Sequence, residues 1–368
     1  MDILIVAPPM LSVSETTGGS VEISIYQTAK RLALQNNVTI ISRKSNSLPR
    51  ISESGNLTIV RVPGGKGYVR NVIHYIKSHK FDCIQVDNRP RFIPILRRHF
   101  PNIPLVLVLH SLTFMNFLTI KEKHDVIRKS TAIICNSQFL RNYYASKFPH
   151  YENKITAIHL GTDLSRFRKP TPEEKSDMYA RYALPSSFII LYAGRIIPGK
   201  GVHILIKAAS LVKKTIPSVR LVLVGPYLKG YKARLMREAK RRKVPVLFTG
   251  SVKPSVMYKM YWLGDCFVFP TQFHEAFGLV SVEAMASELP VIASRRGGVV
   301  EIINGQNGIL ILDYKNPVAF AKEINKIFNE PAYAKKLAEV GRKTVLSHFS
   351  WERVAADYQQ FYTKILQK

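Results

Sequence analysis

Two carboxylates eight residues apart, Glu275 and Glu283, stand in the run Phe269-Pro-Thr-Gln-Phe-His-Glu-Ala-Phe-Gly-Leu-Val-Ser-Val-Glu-Ala-Met-Ala286. The run reads as the end of a strand, a loop and a helix. Glu275 falls beside the helix start, and Glu283 about two turns further in. Helix geometry leaves the first N–H groups unpaired, which here are those of Phe277, Gly278 and Leu279. At 100° per residue the two acids lie roughly 80° apart, so they need not touch. Acids over backbone donors suit a polyhydroxylated ligand carrying a phosphate. The bland alternative, acids favoured by the helix dipole, explains Glu275 but not a Glu283 buried beside Ala284, Met285 and Ala286.

Cations stand on another loop, Gly194-Arg-Ile-Ile-Pro-Gly-Lys-Gly201. Gly194, Gly199 and Lys200 fit G-x4-G-K, but Gly201 replaces the hydroxyl residue that holds Mg²⁺ in a P-loop. What remains is a diphosphate clamp. Arg195 offers a planar fork and Lys200 a point charge. Such a pair matters only in a cleft, because a contact worth about 1 kcal/mol in bulk water is worth about 4 at an effective dielectric of 20. The alternative is two solvated loop cations. Gly18-Gly19-Ser20 opens the first helix, where bare N–H groups can meet a phosphate. His110 ends an apolar strand, either as a site residue or as a hydrogen-bonded core histidine.

The positioning elements alternate. Strand-like runs are Ile3–Ala7, Val38–Ile41, Thr58–Val62, Cys83–Val86, Leu105–Leu109, Ala132–Asn136 and Thr156–His159, then Phe188–Ala193, Arg220–Val224, Val246–Phe248, Cys266–Phe269, Val291–Ala293 and Gly308–Leu312. Amphipathic stretches such as Ser20–Leu34 and Val202–Lys214 lie between them. This is an α/β pattern of βαβ units in doubly wound parallel sheets. Such sheets bind ligands at the carboxyl ends of their strands, and two of them facing each other place a site in the cleft. The alternation pauses over Gly161–Pro185, which holds Pro170, Pro172 and Pro185 and reads as a linker. The sequence thus divides into residues 1–165, 166–350 and a terminal helix over 351–368 that packs back on the first domain.

The run from Glu275 to Ala286 resembles the E-x7-E signature of retaining GT-B glycosyltransferases of family 4, also called group 1. Further blocks agree in order: Gly18-Gly19, His110, Cys135-Asn136-Ser137, His159 to Phe167, Ala193 to Gly201, Val224-Gly225, Gly250-Ser251, Gly297-Gly298 with Glu301, and Asn307-Gly308. The resemblance implies two Rossmann-like domains and a nucleotide-diphosphate sugar as donor. It assigns the diphosphate to Arg195 and Lys200, the ribose to Glu283, and the sugar hydroxyls to Glu275 with the N–H groups of Ala276, Phe277, Gly278 and Leu279. His110 then faces the sugar, Gly18 and Gly19 leave room for phosphate and acceptor, and Ser251 sits near the base. It implies retention with no covalent carboxylate. No D-x-D occurs, so the expectation is no metal and no cofactor. The chain departs from relatives at Glu288, where Gly is usual before the X-Pro step.

With 54 Lys and Arg against 25 Asp and Glu, the 368-residue chain carries +29. The excess is spread evenly, +12 over residues 1–160 and +17 over 161–368, so there is no basic tail. Segments 66–80 and 89–98 mix cations with apolar residues, as interfacial segments do. They point to an anionic membrane surface or anionic polymer, with a solvated surface as the alternative. Lys229–Lys243 holds eight cations and one acid. Zinc spacing and RNA-binding aromatic blocks are missing, which argues against specific nucleic-acid binding. Three scattered cysteines form no disulfide framework. The N-terminus lacks a signal-peptide pattern, and no apolar run reaches the ~20 residues of a membrane span. The expectation is a cytoplasmic protein, peripheral to the membrane or part of a spore coat. The acceptor is open. The competing classes are a nucleotide-sugar epimerase and a non-catalytic coat component.

Overall fold

A computed structural model describes residues 1–367, in two compact units. One comprises Met1–Gly161 and the chain from Trp351 onward; the other is Thr162–Ser350. The boundary falls at Gly161/Thr162, four residues before the sequence-based position.

The first unit is built on β1 (Asp2–Val6), β2 (Asn37–Arg43), β3 (Ile51–Ser54), β4 (Leu57–Val62), β5 (Cys83–Asp87), β6 (Leu105–Leu109), β7 (Ala132–Cys135) and β8 (Ile155–Ala157). Their order is β3-β4-β2-β1-β5-β6-β7-β8, parallel except for β3. β1, β5, β6 and β7 are buried almost throughout, as central strands covered on both faces must be. β3 has no counterpart in the sequence reading. Its residues Ile-Ser-Glu-Ser carry one apolar side chain, and it forms because a turn at Gly55 folds it antiparallel onto β4. The terminal helix, Trp351–Leu366, packs on the helix Ser20–Leu32 of this unit, with Arg31 bound to Glu352 at 2.7 Å and Asn36 to Gln359 at 2.7 Å.

The second unit carries β9 (Ile189–Ala193), β10 (Arg220–Val224), β11 (Val246–Gly250), β12 (Cys266–Phe269), β13 (Val291–Ser294) and β14 (Ile309–Ile311), all parallel in the order β11-β10-β9-β12-β13-β14. The stretch read as linker contains a helix, Pro172–Arg181. Thr171 and Glu174 form a capping box and Pro172 takes the first turn, a start signal visible in Thr-Pro-Glu-Glu. Lys175 and Tyr179 tie it to this unit through Asp265 (2.8 Å) and Leu263 O (3.3 Å).

Each sheet has one place where neighbouring strands run on in opposite directions along the order. It lies between β1 and β5 in the first and between β9 and β12 in the second. In open α/β sheets the loops leaving the carboxyl ends of the strands at such a point carry the ligand site. Among the described residues no helix is long and apolar enough to cross a membrane.

Candidate active site

In the second unit the loops at that point are Gly194–Lys200, following β9, and Pro270–Gly278, following β12. The two loops are locked by a close approach. Gly201 has a left-handed backbone, φ +75°, and a Cβ there would lie 1.8 Å from Pro270 O. No Ser or Thr fits, so the missing P-loop hydroxyl is a packing requirement. Gly201 caps the helix Val202–Val212, and the preceding turn Pro198–Lys200 is a short 3₁₀ helix.

That turn aims Lys200 at Glu275. Nζ lies 2.6 Å from Oε1, with both side chains only 12% exposed. The same oxygen accepts from Thr271 Oγ1 at 2.7 Å. The Lys200 ammonium also lies 5.1 Å from the ring centres of both Phe269 and Phe273. A charge pair this dry is strong when matched and costly when broken. Arg195, on the same loop, is exposed, and its guanidinium makes no hydrogen bond or ion pair among the described residues.

Glu275 does not belong to the helix. It bridges to Gly297, whose neighbour Gly298 donates its N–H to Glu275 O at 2.8 Å. Side chains at Gly297 or Gly298 would strike backbone of Glu275 and Ala276 at 2.1 and 2.3 Å. The helix begins only at Leu279, with Gly278 (φ 112°) as its cap and no capping side chain. The helical angle between the two acids therefore does not apply, and the first-turn donors shift from Phe277 toward Leu279 and Val280. Ala276 and Phe277 lie in the loop before it.

Glu283 is in that helix and is half-buried, between the buried Val282 and Ala284. Desolvation pushes its pKa up to about 7, and a 2.6 Å hydrogen bond from the Tyr261 hydroxyl pulls the other way. Tyr261 is fully buried against Phe167 and Phe267, so it cannot follow a ligand. Ser251 is exposed just after β11, two strands from β9. Of the side chains singled out here, the fold brings Lys200 and Glu275 into contact, while among the described residues Arg195, Glu283 and Ser251 make no hydrogen bond or ion pair with either.

In the first unit His110 follows β6 and reaches back to β5. Its Nε2 lies 2.8 Å from Asp87 Oδ1, with side chains 5% and 2% exposed. Asp87 Oδ2 accepts from Gln85 Nε2 at 2.6 Å, and Gln85 Oε1 accepts from the Tyr362 hydroxyl of the terminal helix. This chain fixes the ring, with Nε2–H donated to Asp87. Gly18 has φ +134° and Gly19 caps the first helix. The Gly19 N–H is taken by Glu22 Oε2 at 2.9 Å, so it is not the bare donor the sequence suggested. Tyr261, Thr271, Phe273 and Asp87 were not found by sequence reasoning. Asp87 alone left a signal, an acid ending a buried strand.

Comparison with known proteins matches residues 180–344 to the family described as glycosyl transferases group 1, and residues 17–166 to Glycosyltransferase Family 4. Spore coat protein SA of Bacillus subtilis is 29% identical over 99% of this chain and 100% of its own. Lipopolysaccharide 1,2-N-acetylglucosaminetransferase of Salmonella typhimurium is 26% identical over 97% of each. Among solved structures, sucrose-phosphate synthase from Thermosynechococcus elongatus superposes with a TM-score of 0.82 at 22% identity, covering 100% of both chains. Anabaena HepE in complex with UDP and glucose gives 0.77 at 20% identity, covering 99% of both. With one family match on each unit and the GT-B fold shared end to end, the chain belongs to the group 1, family 4, glycosyltransferases.

Proposed function

We propose that the protein moves a sugar from a nucleotide-diphosphate sugar to an envelope-type glycan, lipid or polymer, with retention and without a bound metal. The observation that carries this is the Lys200–Glu275 pair at the switch point of the second sheet. Lys200 and Arg195 neutralise the diphosphate as it leaves. Preorganised cations stabilise developing negative charge most effectively in a low-dielectric site. On donor binding Lys200 is shared between Glu275 and phosphate, which frees Glu275 to accept from sugar hydroxyls. Glu283 takes the ribose hydroxyls, the backbone from Ala276 to Leu279 borders the sugar, and Ser251 lies toward the base. His110, oriented by Asp87, is assigned to the sugar.

In the transfer the C1–O bond to phosphate breaks and a C1–O bond to the acceptor forms on the same face. The acceptor proton passes to the leaving phosphate oxygen, so no carboxylate nucleophile is needed. In this reading Arg195 and Lys200 are the counter-charges, and among the described residues no three His, Cys, Asp or Glu side chains converge as a metal site. HepE was crystallised with UDP and with UDP-glucose, which makes uridine donors the first to try. The test is nucleoside diphosphate release from a donor panel, with and without EDTA. Release from one donor at an EDTA-insensitive rate is expected; no release from any donor with a range of acceptors favours the non-catalytic coat reading, which the Bacillus relative's name suggests.

The basic segments of the first unit are narrower candidates for an anionic surface than their sequence implied. Their apolar residues Val72, Ile73, Ile76, Ile93 and Leu96 face the core. Arg97 is spent on the carbonyls of Lys129, Pro101 and Ile103. The segments' cations Lys66, Arg70, Lys77, Lys80, Arg91 and Arg98 do face solvent, with Ile95, and next to Arg91 lie the exposed Phe117 (70%) and Ile120 (64%). We assign membrane or polymer contact to this tip.

A further inference from the structure

The cationic run Lys229–Lys243 takes no part in the site described above. Most of it forms the helix Lys229–Arg241, which buries Tyr231, Leu235 and Ala239 and packs beside Val202–Val212. Arg234, Arg237 and Arg241 follow one another at helical spacing beside that buried stripe. With His203 and Lys207 of the neighbouring helix they line a groove of about 380 Å³ over Leu235. The single acid in the groove, Glu238, is consumed by Arg241 at 2.6 Å and Arg242 at 2.5 Å. Lys207, Arg234 and Arg237 have no acidic partner among the described residues, and Arg234 lies 5.9 Å over the Tyr231 ring.

Like charges gathered without counter-charge oppose folding. Their effect is visible on His203. Burial first, then Lys207 and Arg234, lower its pKa below the ordinary 6.5, while Nδ1 pairs with the Tyr231 hydroxyl at 3.1 Å. From Arg234 to Arg241 the helix rises about 10 Å, a line of charge longer than one phosphate. Guanidinium forks bind phosphate oxygens two at a time. The exposed Met236 lies outside the groove lining, and a concave, charged cleft fits a strand better than a flat membrane.

We propose that this groove binds a linear anion with phosphate groups in series, of the polyphosphate or phosphodiester-polymer class, at a site separate from the donor site. The test uses the full chain and sodium polyphosphate, followed by calorimetry from 50 to 300 mM salt. Two triple variants are compared: Lys207→Gln/Arg234→Gln/Arg237→Gln, and a control of equal charge loss, Lys322→Gln/Lys336→Gln/Lys343→Gln, on exposed surface. The groove variant should lose at least ten-fold in affinity and about two to three units of slope of log K against log salt. The control should lose less than three-fold. In wild type, polyphosphate should raise the His203 pKa seen by NMR. Equal losses in both variants, or an unmoved His203, overturn the proposal. So does a groove variant that keeps polyphosphate but loses anionic vesicles or single-stranded nucleic acid. Unchanged thermal unfolding and unchanged nucleoside diphosphate binding by the groove variant separate this result from failure to fold and from failure of the donor-site reading.

Discussion

Replacing Glu283 with glutamine should remove a pH dependence of stability that the wild-type chain shows between about pH 4.5 and pH 7. Burial raises the carboxyl from an ordinary 4.5 to about 7 in the folded state. Below 4.5 the group is protonated whether the chain is folded or not, and the folded state keeps its full advantage. Between the two values the folded chain holds a proton that the unfolded chain has released. Stability then falls as pH rises, and the loss is complete once pH passes the folded value. At about 1.4 kcal/mol per pH unit, that separation makes a loss of about 3 to 4 kcal/mol. The amide of the Glu283→Gln variant cannot ionise but still accepts from Tyr261, so the variant should lie flat through this window apart from contributions shared with wild type. Urea unfolding at pH 4.5, 6, 7 and 8 on both proteins gives the difference curve. Parallel curves would refute the reasoning. The same titration has a functional side. If Glu283 takes the ribose hydroxyls as proposed, they donate best to its ionised form, so nucleotide affinity should climb as pH rises across 7, and the Glu283→Gln variant should not show the climb.

Tyr261→Phe removes the hydrogen bond that opposes desolvation, so the midpoint of that affinity climb should move to higher pH, with about 1 kcal/mol lost in unfolding. Lys200→Met leaves Glu275 with Thr271 alone. It should cost roughly 2–4 kcal/mol of stability, and adding Glu275→Gln should restore much of that without restoring transfer, a coupling that a double-mutant cycle reads directly. Asp87→Asn replaces the charged acceptor on His110. A bond of about 1.5–3 kcal/mol corresponds to a roughly 10- to 100-fold fall in kcat with little change in KM, measured by steady-state kinetics. Glu288 has φ +56° just after the helix Leu279–Ala286; its N–H donates to Met285 O at 3.1 Å, and its carboxylate has a long 3.8 Å contact with Lys169 and an electrostatic interaction with Arg342. Glu288→Gly should therefore stabilise by about 1 kcal/mol, a rise of roughly 2–4 °C in Tm by calorimetry.

Buried parallel strands announce themselves as continuous apolar runs, and nearly all of this fold was legible for that reason. One strand and several helices, Pro172–Arg181 and Pro331–His348 among them, escape that reading. β3 carries no pattern because its pairing with β4, not its own side chains, makes it a strand. The helix Pro172–Arg181 was passed over because three prolines suggested a linker, although Pro172 sits where a helix start tolerates it. In the site, residue types and loops were readable but partnerships were not. Lys200 and Glu275 are 75 positions apart, and only the adjacency of β9 and β12 makes them neighbours. The sequence puts Glu275 beside a helix start whose free N–H groups begin at Phe277, whereas Gly278 in a left-handed conformation delays that start to Leu279. Tyr261 and Asp87 act through other side chains, and a single sequence carries no mark of that.

In the proposed reaction Arg195 and Lys200 hold the pyrophosphate of an activated sugar. Calorimetric titration of a panel of nucleoside diphosphates into wild type, Arg195→Ala and Lys200→Met tests it most directly. At least one diphosphate should bind wild type, its monophosphate should bind more weakly, and each variant should lose ten-fold or more in affinity. A chain that binds none of them, or variants that bind as wild type does, would contradict it.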